Sequence, residues 1–323
     1  MKKGLGILAL FLLLIGCALF GHAADKVFLI GISQIVEHPA LDATRKGFVD
    51  FLNENGFKEG EKVKYDYKNA QNNRSVSGLI ARKLVGDKVD LILAISTPSS
   101  QDAAAATKKI PILFAAVTDP VAAGLVKSLE KPGKNVSGTA DKSPVGRQLD
   151  LIKEILPTAK TLGTIYNAGE VNSVVSVKQM KAEEAKRGMK VVEAVANNSS
   201  AVKMAAESLL GKVDVILVPT DNTVVQAFEA VVKVCQDNKV PLFAADTDSV
   251  KRGAIAALAV DYYKLGRQTG AMAKRILEGK AKIALMPVEY QKELLLYLNP
   301  KQAEKMGVKL SPEIVKRAAK IIK

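Results

Sequence analysis

Hydroxyls, amides and carboxylates gather where apolar runs of this chain end. Ser33 and Gln34 follow the run 27–32, Thr97, Ser99 and Gln101 follow 89–95, and Thr118 and Asp119 follow 110–117. In the second half Asn167, Asn172 and Ser173 follow 161–166, Asp221 and Asn222 follow 213–218, and Asp246 closes 241–245. Each of these residue types is also an ordinary helix cap. As a set, at the ends of buried strands, they point to a polar binding surface. Helix N-termini with free N–H groups suit a carboxylate, and Asp221, with Asp246 as second choice, suits an ammonium. The polarity is that of a zwitterion. Ser33, Thr97, Ser99, Gln101 and Thr118 are assigned mainly to its carboxylate. The small pairs Ala115-Ala116 and Ala244-Ala245 leave room for a bulky side chain near the strand ends.

Reactive chemistry is scarce. The chain has two histidines, His22 and His38, and two cysteines, Cys17 and Cys235. That supply does not make an ordinary zinc site of His and Cys ligands. The nucleophile-elbow pattern G-x-S-x-G is absent, and neither a Walker A loop nor a G-x-G-x-x-G follows a strand. No catalytic residue, metal or cofactor is therefore expected. His38, beside Pro39, reads as a helix-start or cleft residue. Cys235 lies in an apolar helical pattern with Phe228, Val231 and Val232 and reads as a small buried hydrophobe.

The elements that must carry the polar clusters come in two copies. Lys88 to Leu93 (KVDLIL) is echoed by Lys212 to Leu217 (KVDVIL), and Lys109 to Ala115 (KIPILFA) by Lys239 to Ala245 (KVPLFAA). Phe28 to Ser33 corresponds to Leu162 to Asn167, and the helix stops Gly56 and Gly188 also match. The shift is about 125–135 residues, far beyond a solenoid repeat. The runs read as strands buried on both faces, as in parallel sheets. Thr97 reads as an N-cap with Pro98 at the first helical position, and Asp119-Pro120 reads the same way. The expectation is an α/β protein of two similar Rossmann-like lobes with parallel sheets, joined by three crossings. Those are placed at Ser143-Pro144, between 246 and 251, and between 285 and 288. That gives a first lobe of 25–142 plus 250–285 and a second of 143–249 plus 286–323.

Residues 1–24 read as a leader. Lys2-Lys3 precede an apolar stretch, Leu5 to Ile15, too short to span a membrane. Two processing routes stay open: lipidation of Cys17 after Leu14-Ile15-Gly16, or cleavage near Ala23. Either route makes the protein exported, as a periplasmic protein or one anchored on the outer side of the membrane. The formal charge is +14, or +12 without Lys2 and Lys3. The basic residues are scattered, the C-terminal Lys316, Arg317, Lys320 and Lys323 included, and there is no Trp. Nucleic-acid binding is not expected; a basic surface near anionic lipid is. The chain is expected to be a monomer.

Several of these stretches together resemble one family. They are Gly31 to Pro39 (GISQIVEHP), Ala94 to Gln101 (AISTPSSQ), Ala116 to Pro120 (AVTDP), Tyr166 to Ser173 (YNAGEVNS), Pro219 to Asn222 (PTDN) and Asp261 to Gly266 (DYYKLG). From about Val27 to the C-terminus the chain resembles the exported ABC-transporter substrate-binding proteins of the tryptophan/tyrosine type. The resemblance implies a type I periplasmic-binding fold, no catalysis, and capture of an amino acid, often aromatic, for a membrane permease. Ser99-Ser100 depart from the pattern, where alanines are usual. The competing readings from the residues are an exported α/β enzyme and a sensor domain using the same cleft.

Overall fold

A computed structural model describes residues 26–323; the leader, Lys2, Lys3 and Cys17 included, lies outside the described residues. The chain first forms β1 (Phe28–Gln34), α1 (Pro39–Glu54), β2 (Val63–Asn69), α2 (Arg74–Gly86), β3 (Leu91–Ile95), α3 (Thr97–Ala106), β4 (Ile112–Val117) and β5 (Val136–Ala140). It continues through α4 (Val145–Ile155), β6 (Thr161–Tyr166), α5 (Val171–Glu184), β7 (Lys190–Val195), α6 (Val202–Glu207) and β8 (Val215–Val218). Then come α7 (Asn222–Gln226), α8 (Phe228–Asp237), β9 (Leu242–Ala244), α9 (Asp248–Arg252) and β10 (Ala256–Ala259). The last elements are α10 (Tyr262–Leu277), β11 (Glu289–Tyr290), β12 (Leu295–Leu298), α11 (Pro300–Lys305), α12 (Pro312–Arg317) and β13 (Lys320–Ile321).

Every residue of β3, β4 and β8 is buried. Such runs of Leu, Ile, Val and Ala bury both faces only when helices cover both, which makes the sheets parallel. The first sheet has the order β11-β5-β4-β3-β1-β2 and the second β13-β12-β10-β9-β8-β6-β7. The five strands common to each follow the same 2-1-3-4-5 order, so the repeat in the sequence is a repeat of fold. Among the described strands only β12 runs antiparallel to its neighbour β10. In both lobes the order reverses beside the first strand, and the crevice there opens at the carboxyl ends of the strands. Gln34 lies opposite Ile95 in the register of β1 and β3, which brings the residues after both strands to that edge.

The crossings are three, but two lie elsewhere than expected. The first, 141–144, joins β5 to α4 at the expected Ser143-Pro144. The second is not near 246–251. β10 pairs with β9, and Val250 packs in the core of the second lobe, so residues 250–259 belong there rather than to the first lobe. The chain crosses between Ala259 and Val260, whose side chain lies in the first core. The third is later than 285–288, because Met286 and Val288 pack in the first core and β11 pairs with β5. The small apolar run 253–260 fits a central strand of either sheet, and the choice rests on distant partners. The crossings are tied to one another. Tyr262 donates to Asp141 Oδ2 at 2.7 Å, and Gln291 Nε2 donates to the Asp261 carbonyl at 2.8 Å.

α10 is fastened to α1 by glycines. A Cβ on Gly266 would lie 1.9 Å from the Thr44 carbonyl oxygen, and one on Gly47 would lie 2.1 Å from that of Tyr263. The two backbones touch where only hydrogen fits. This seam is what holds the returning helix to the first lobe.

Candidate functional site

The carboxyl edges of the two sheets face each other across a cavity. From the first lobe come His38, Ala40 and Leu41 at the start of α1, Ser96 after β3, and Ala116 and Thr118 at the end of β4. The second lobe supplies Asn172, Thr220, Asp221, Asn222, Val225 and Asp246, and the crossings add Asp141 and Tyr262. No Lys or Arg lines it, although the whole chain carries a formal +14.

Two backbone outliers shape the first-lobe wall. Ser96 has φ 81° and ψ 158°, a region nearly reserved for glycine, and Ala116 has φ 55°. The turn at Ser96 lets its carbonyl accept from the Ser100 N–H at 3.1 Å, so α3 starts at Thr97 and the cap is Ser96, one residue earlier than expected. It also leaves the Ser96 hydroxyl facing the other lobe, where it donates to Asn222 Oδ1 at 3.1 Å. Ser96→Gly is expected to relieve the strain, of order 1–3 kcal/mol before the entropy of glycine is charged against it. The melting temperature of the ligand-free protein should not fall, while affinity for the bound solute should. A fall in melting temperature with affinity unchanged by calorimetry would show that the serine serves the fold alone.

Three carboxyl groups sit buried in the lining. Asp221 caps α7, accepting from the Val224 N–H at 2.7 Å; its other oxygen accepts from the Asn167 N–H and the Ser173 hydroxyl, both at 2.6 Å. Burial, then the charge of Glu170, pushes its carboxyl up to about 7. Asp246 accepts from the Ser249 N–H and hydroxyl at 2.8 and 2.6 Å, and burial raises it too. Asp141 is raised by burial, and its Oδ1 makes no hydrogen bond within the protein. His38 is held down at about 4 by burial and by the charge of Arg252, so it is neutral at pH 7, with Nδ1 unpaired.

Of the residues singled out in the sequence, Thr118, Asn172, Asp221, Asn222 and Asp246 line the cavity. Asn167 and Ser173 stand behind Asp221 and orient it. Ser33, Thr97 and Ser99 are buried at the same edge behind the lining, their hydroxyls unpaired within the protein. Gln34 turns toward α1, donating to Asp42 Oδ1 and the Val36 carbonyl at 2.8 and 2.9 Å. Gln101 is a strut away from the cavity, donating to the Ala123 carbonyl and accepting from Arg74. Asp119 caps a turn rather than a helix, accepting from the N–H groups of Val121 and Ala122. Gly124, at φ 72°, ends that turn before a helix can form. Sequence reasoning missed Ser96, Asp141 and Tyr262 as lining residues. Asp141 carried the usable signal, a carboxylate directly after the apolar run 136–140.

The lobes touch across the cleft through polar groups. Besides Ser96 and Asn222, Thr118 and Thr220 share a hydrogen bond at 3.2 Å, and Asn72 Nδ2 donates to the Thr223 hydroxyl at 3.0 Å. Two sheets of like order, three crossings and a polar cavity between the lobes define a solute-binding protein of the type I periplasmic-binding fold.

Within that class the chain belongs to the ABC transporter substrate binding protein family, which it matches over residues 29–322. It is 47% identical over 288 residues to the tyrosine-binding protein of Clostridioides difficile, covering 89% of this chain and 83% of that one. Among solved structures it is similar to the ABC domain in complex with L-Trp from Streptococcus pneumonia. There the identity is 36%, coverage is 92% of this chain and 100% of that one, and the TM-score is 0.89. It is also similar to the ligand-free, open structure of a substrate-binding protein with adhesive properties from Clostridium difficile. Identity there is 47%, with 92% and 99% covered, yet the TM-score is 0.70. The poorer superposition, despite the higher identity, is with a structure that is ligand-free and open. This chain superposes more closely on the L-Trp complex, in keeping with its bonds across the cleft. Its function is that of the substrate-binding component of an ABC transporter, a class that works outside the cytoplasm. Among the described residues no helix is long and apolar enough to cross a membrane.

Proposed function

We propose that the cavity takes a free aromatic α-amino acid, tyrosine or tryptophan, and that the closed protein hands it to a membrane permease. The observation that carries this is the lining, with three buried carboxyl groups, hydroxyls and amides, and no Lys or Arg. An ammonium group offsets buried carboxylates, and no other part of the wall does. Asp221 is assigned to it, as the sequence suggested, and Asp141 joins it through the free Oδ1. With the Ser96 hydroxyl spent on Asn222, Thr118, Thr220 and the N–H groups at the start of α3 are left for the carboxylate. Leu41, Ala40, Ala116, Val225 and Tyr262 offer the apolar walls an aromatic ring needs. The relatives that bind tyrosine and L-Trp support the same reading. The protein binds without turnover, acts as a monomer, and is exported, either as a periplasmic protein or anchored on the outer side of the membrane by lipid on Cys17. Calorimetry with amino acids, sugars and nucleosides tests the ligand; binding of sugars or nucleosides alone would sink it.

The carboxyl of Asp221 gives a pH signature. Its value is raised from 3.8 to about 7, so the ligand-free protein holds a proton there below pH 7 that the unfolded chain releases above about pH 4. Ligand-free stability from this group therefore falls as pH rises through that window. His38 acts oppositely between about 4 and 6.5, where only the unfolded chain is protonated. An ammonium selects the ionised carboxylate, so amino-acid binding at pH 6 should release protons and weaken as pH falls. Calorimetry at pH 6 in buffers of different ionisation enthalpy measures the release; none at pH 6 would remove Asp221 from the ammonium site.

A further inference from the structure

Behind the cavity wall lies a fourth buried acidic residue that does not line the cavity. Glu170 is 6% exposed and stands just before α5, its side chain capping nothing there. All four of its hydrogen-bond donors are neutral: Asn172 Nδ2, the Asn222 N–H, Asn222 Nδ2 and the Thr223 hydroxyl. A buried charge without a cation is unfavourable unless its hydrogen bonds accomplish something. Three of these donors belong to two residues, Asn222 and Thr223, that touch the opposite lobe.

A carboxylate accepts and does not donate. The Asn222 side chain must therefore turn its NH2 to Glu170, which leaves its Oδ1 to receive the Ser96 hydroxyl across the cleft at 3.1 Å. The Thr223 hydroxyl spends its one hydrogen on Glu170 Oε1 at 3.0 Å, which leaves only acceptor capacity, filled by Asn167 Nδ2 from its own lobe and Asn72 Nδ2 from the other. Asn72 reaches across from a left-handed conformation, φ 61°. One carboxylate thus makes both second-lobe contacts acceptors, facing two donors from the first lobe.

We propose that Glu170 is the positioning residue of an interlobe latch: it fixes the hydrogen-bond polarity of Asn222 and Thr223 so that the lobes lock on closing. The idea rests on the solute-binding reading above, since closure matters to affinity only if solute is held between the lobes. Closing bonds made only in the bound state tighten binding by shifting the population toward it. The latch holds whichever solute fills the cavity, so it sets affinity and not selectivity.

The test uses the mature protein, with L-tyrosine and L-tryptophan as probes, in calorimetry and small-angle scattering. Glu170→Gln brings an amide NH2 to a site lined by donors and should weaken both amino acids about tenfold, with their ratio unchanged. Asn72→Asp lies on the other lobe, keeps a residue that tolerates its φ, and places acceptor against acceptor; it should weaken binding comparably. In the double variant the Thr223 hydroxyl is released from the carboxylate and can donate to the new acceptor, so binding should be no weaker than in Asn72→Asp alone. Both single variants at saturating ligand should scatter as a more open particle than wild type. Wild-type affinity in Glu170→Gln, or losses that simply add in the double variant, would overturn the latch; addition is what mere damage to the second lobe gives. If the wild type binds only another solute of the calorimetric panel, the amino-acid reading fails, and the same variants judge the latch with that solute.

Discussion

Asp221→Asn is expected to weaken binding of tyrosine or tryptophan by about 100-fold or more. Removing one partner of a buried, hydrogen-bonded charge pair typically costs 2–5 kcal/mol, because the other charge stays buried and unpaired. Asn is as good a helix cap as Asp, so the bond to the Val224 N–H survives. The opposite side meets two donors, the Asn167 N–H and the Ser173 hydroxyl, so an NH2 there is tolerated less well. Melting of the ligand-free variant measures that structural share, and calorimetry measures the loss of affinity. The pH dependence should change with it, since burial raises this carboxyl and an ammonium selects its ionised form. Retained affinity with an unchanged pH profile would move the ammonium to Asp141 or Asp246.

The largest loss of stability is expected from Gly266→Ala. The new Cβ would lie 1.9 Å from the Thr44 carbonyl oxygen and 3.0 Å from the Phe48 nitrogen. Both are backbone atoms inside α1, which cannot rotate away as a side chain can. α10 must then lift off α1, opening the core around Phe48, Leu265 and Met272. Overpacking of this kind costs about 1–3 kcal/mol where side chains can yield, and here the backbone has to yield. We expect about 3 kcal/mol or more, a drop in melting temperature on the order of 10 °C for lobes of this size. Gly86→Ala is the control. No atom lies within 4 Å of its added Cβ, and the substitution should leave stability within about 1 kcal/mol of wild type. Equal melting of Gly266→Ala and wild type would mean the helices are not in contact in solution.

The sequence by itself determined the two-lobed α/β architecture, because burial on both faces leaves strands like Leu91–Ile95 no polar side, and the repeat announced a second copy. It determined that polar residues would end those strands, and the resemblance carried by Gly31 to Pro39 and by Pro219 to Asn222 named the right family. Local chemistry also placed Asp221 as a cap and Cys235 in a core. The tertiary structure alone decided which polar groups face the cleft. Thr97 and Ser99 read as ligand groups, yet the strained turn at Ser96 puts its own hydroxyl forward instead. Gln101 satisfied itself on Arg74 and Ala123, partners no local pattern reveals. Where the chain crosses was also a tertiary choice. The stretch Ala256–Ala259 fits either sheet, and only its pairing with β9 and β12 assigns it. Glu170 shows the limit most clearly. In the sequence it is one acidic residue in a loop, and its part in the site exists only because folding sets Asn222 and Thr223 between it and the other lobe. Strand burial and caps are fixed within a few residues of chain, whereas the cavity wall is assembled from segments more than 100 residues apart, as the bonds from Ser96 to Asn222 and from Thr118 to Thr220 record.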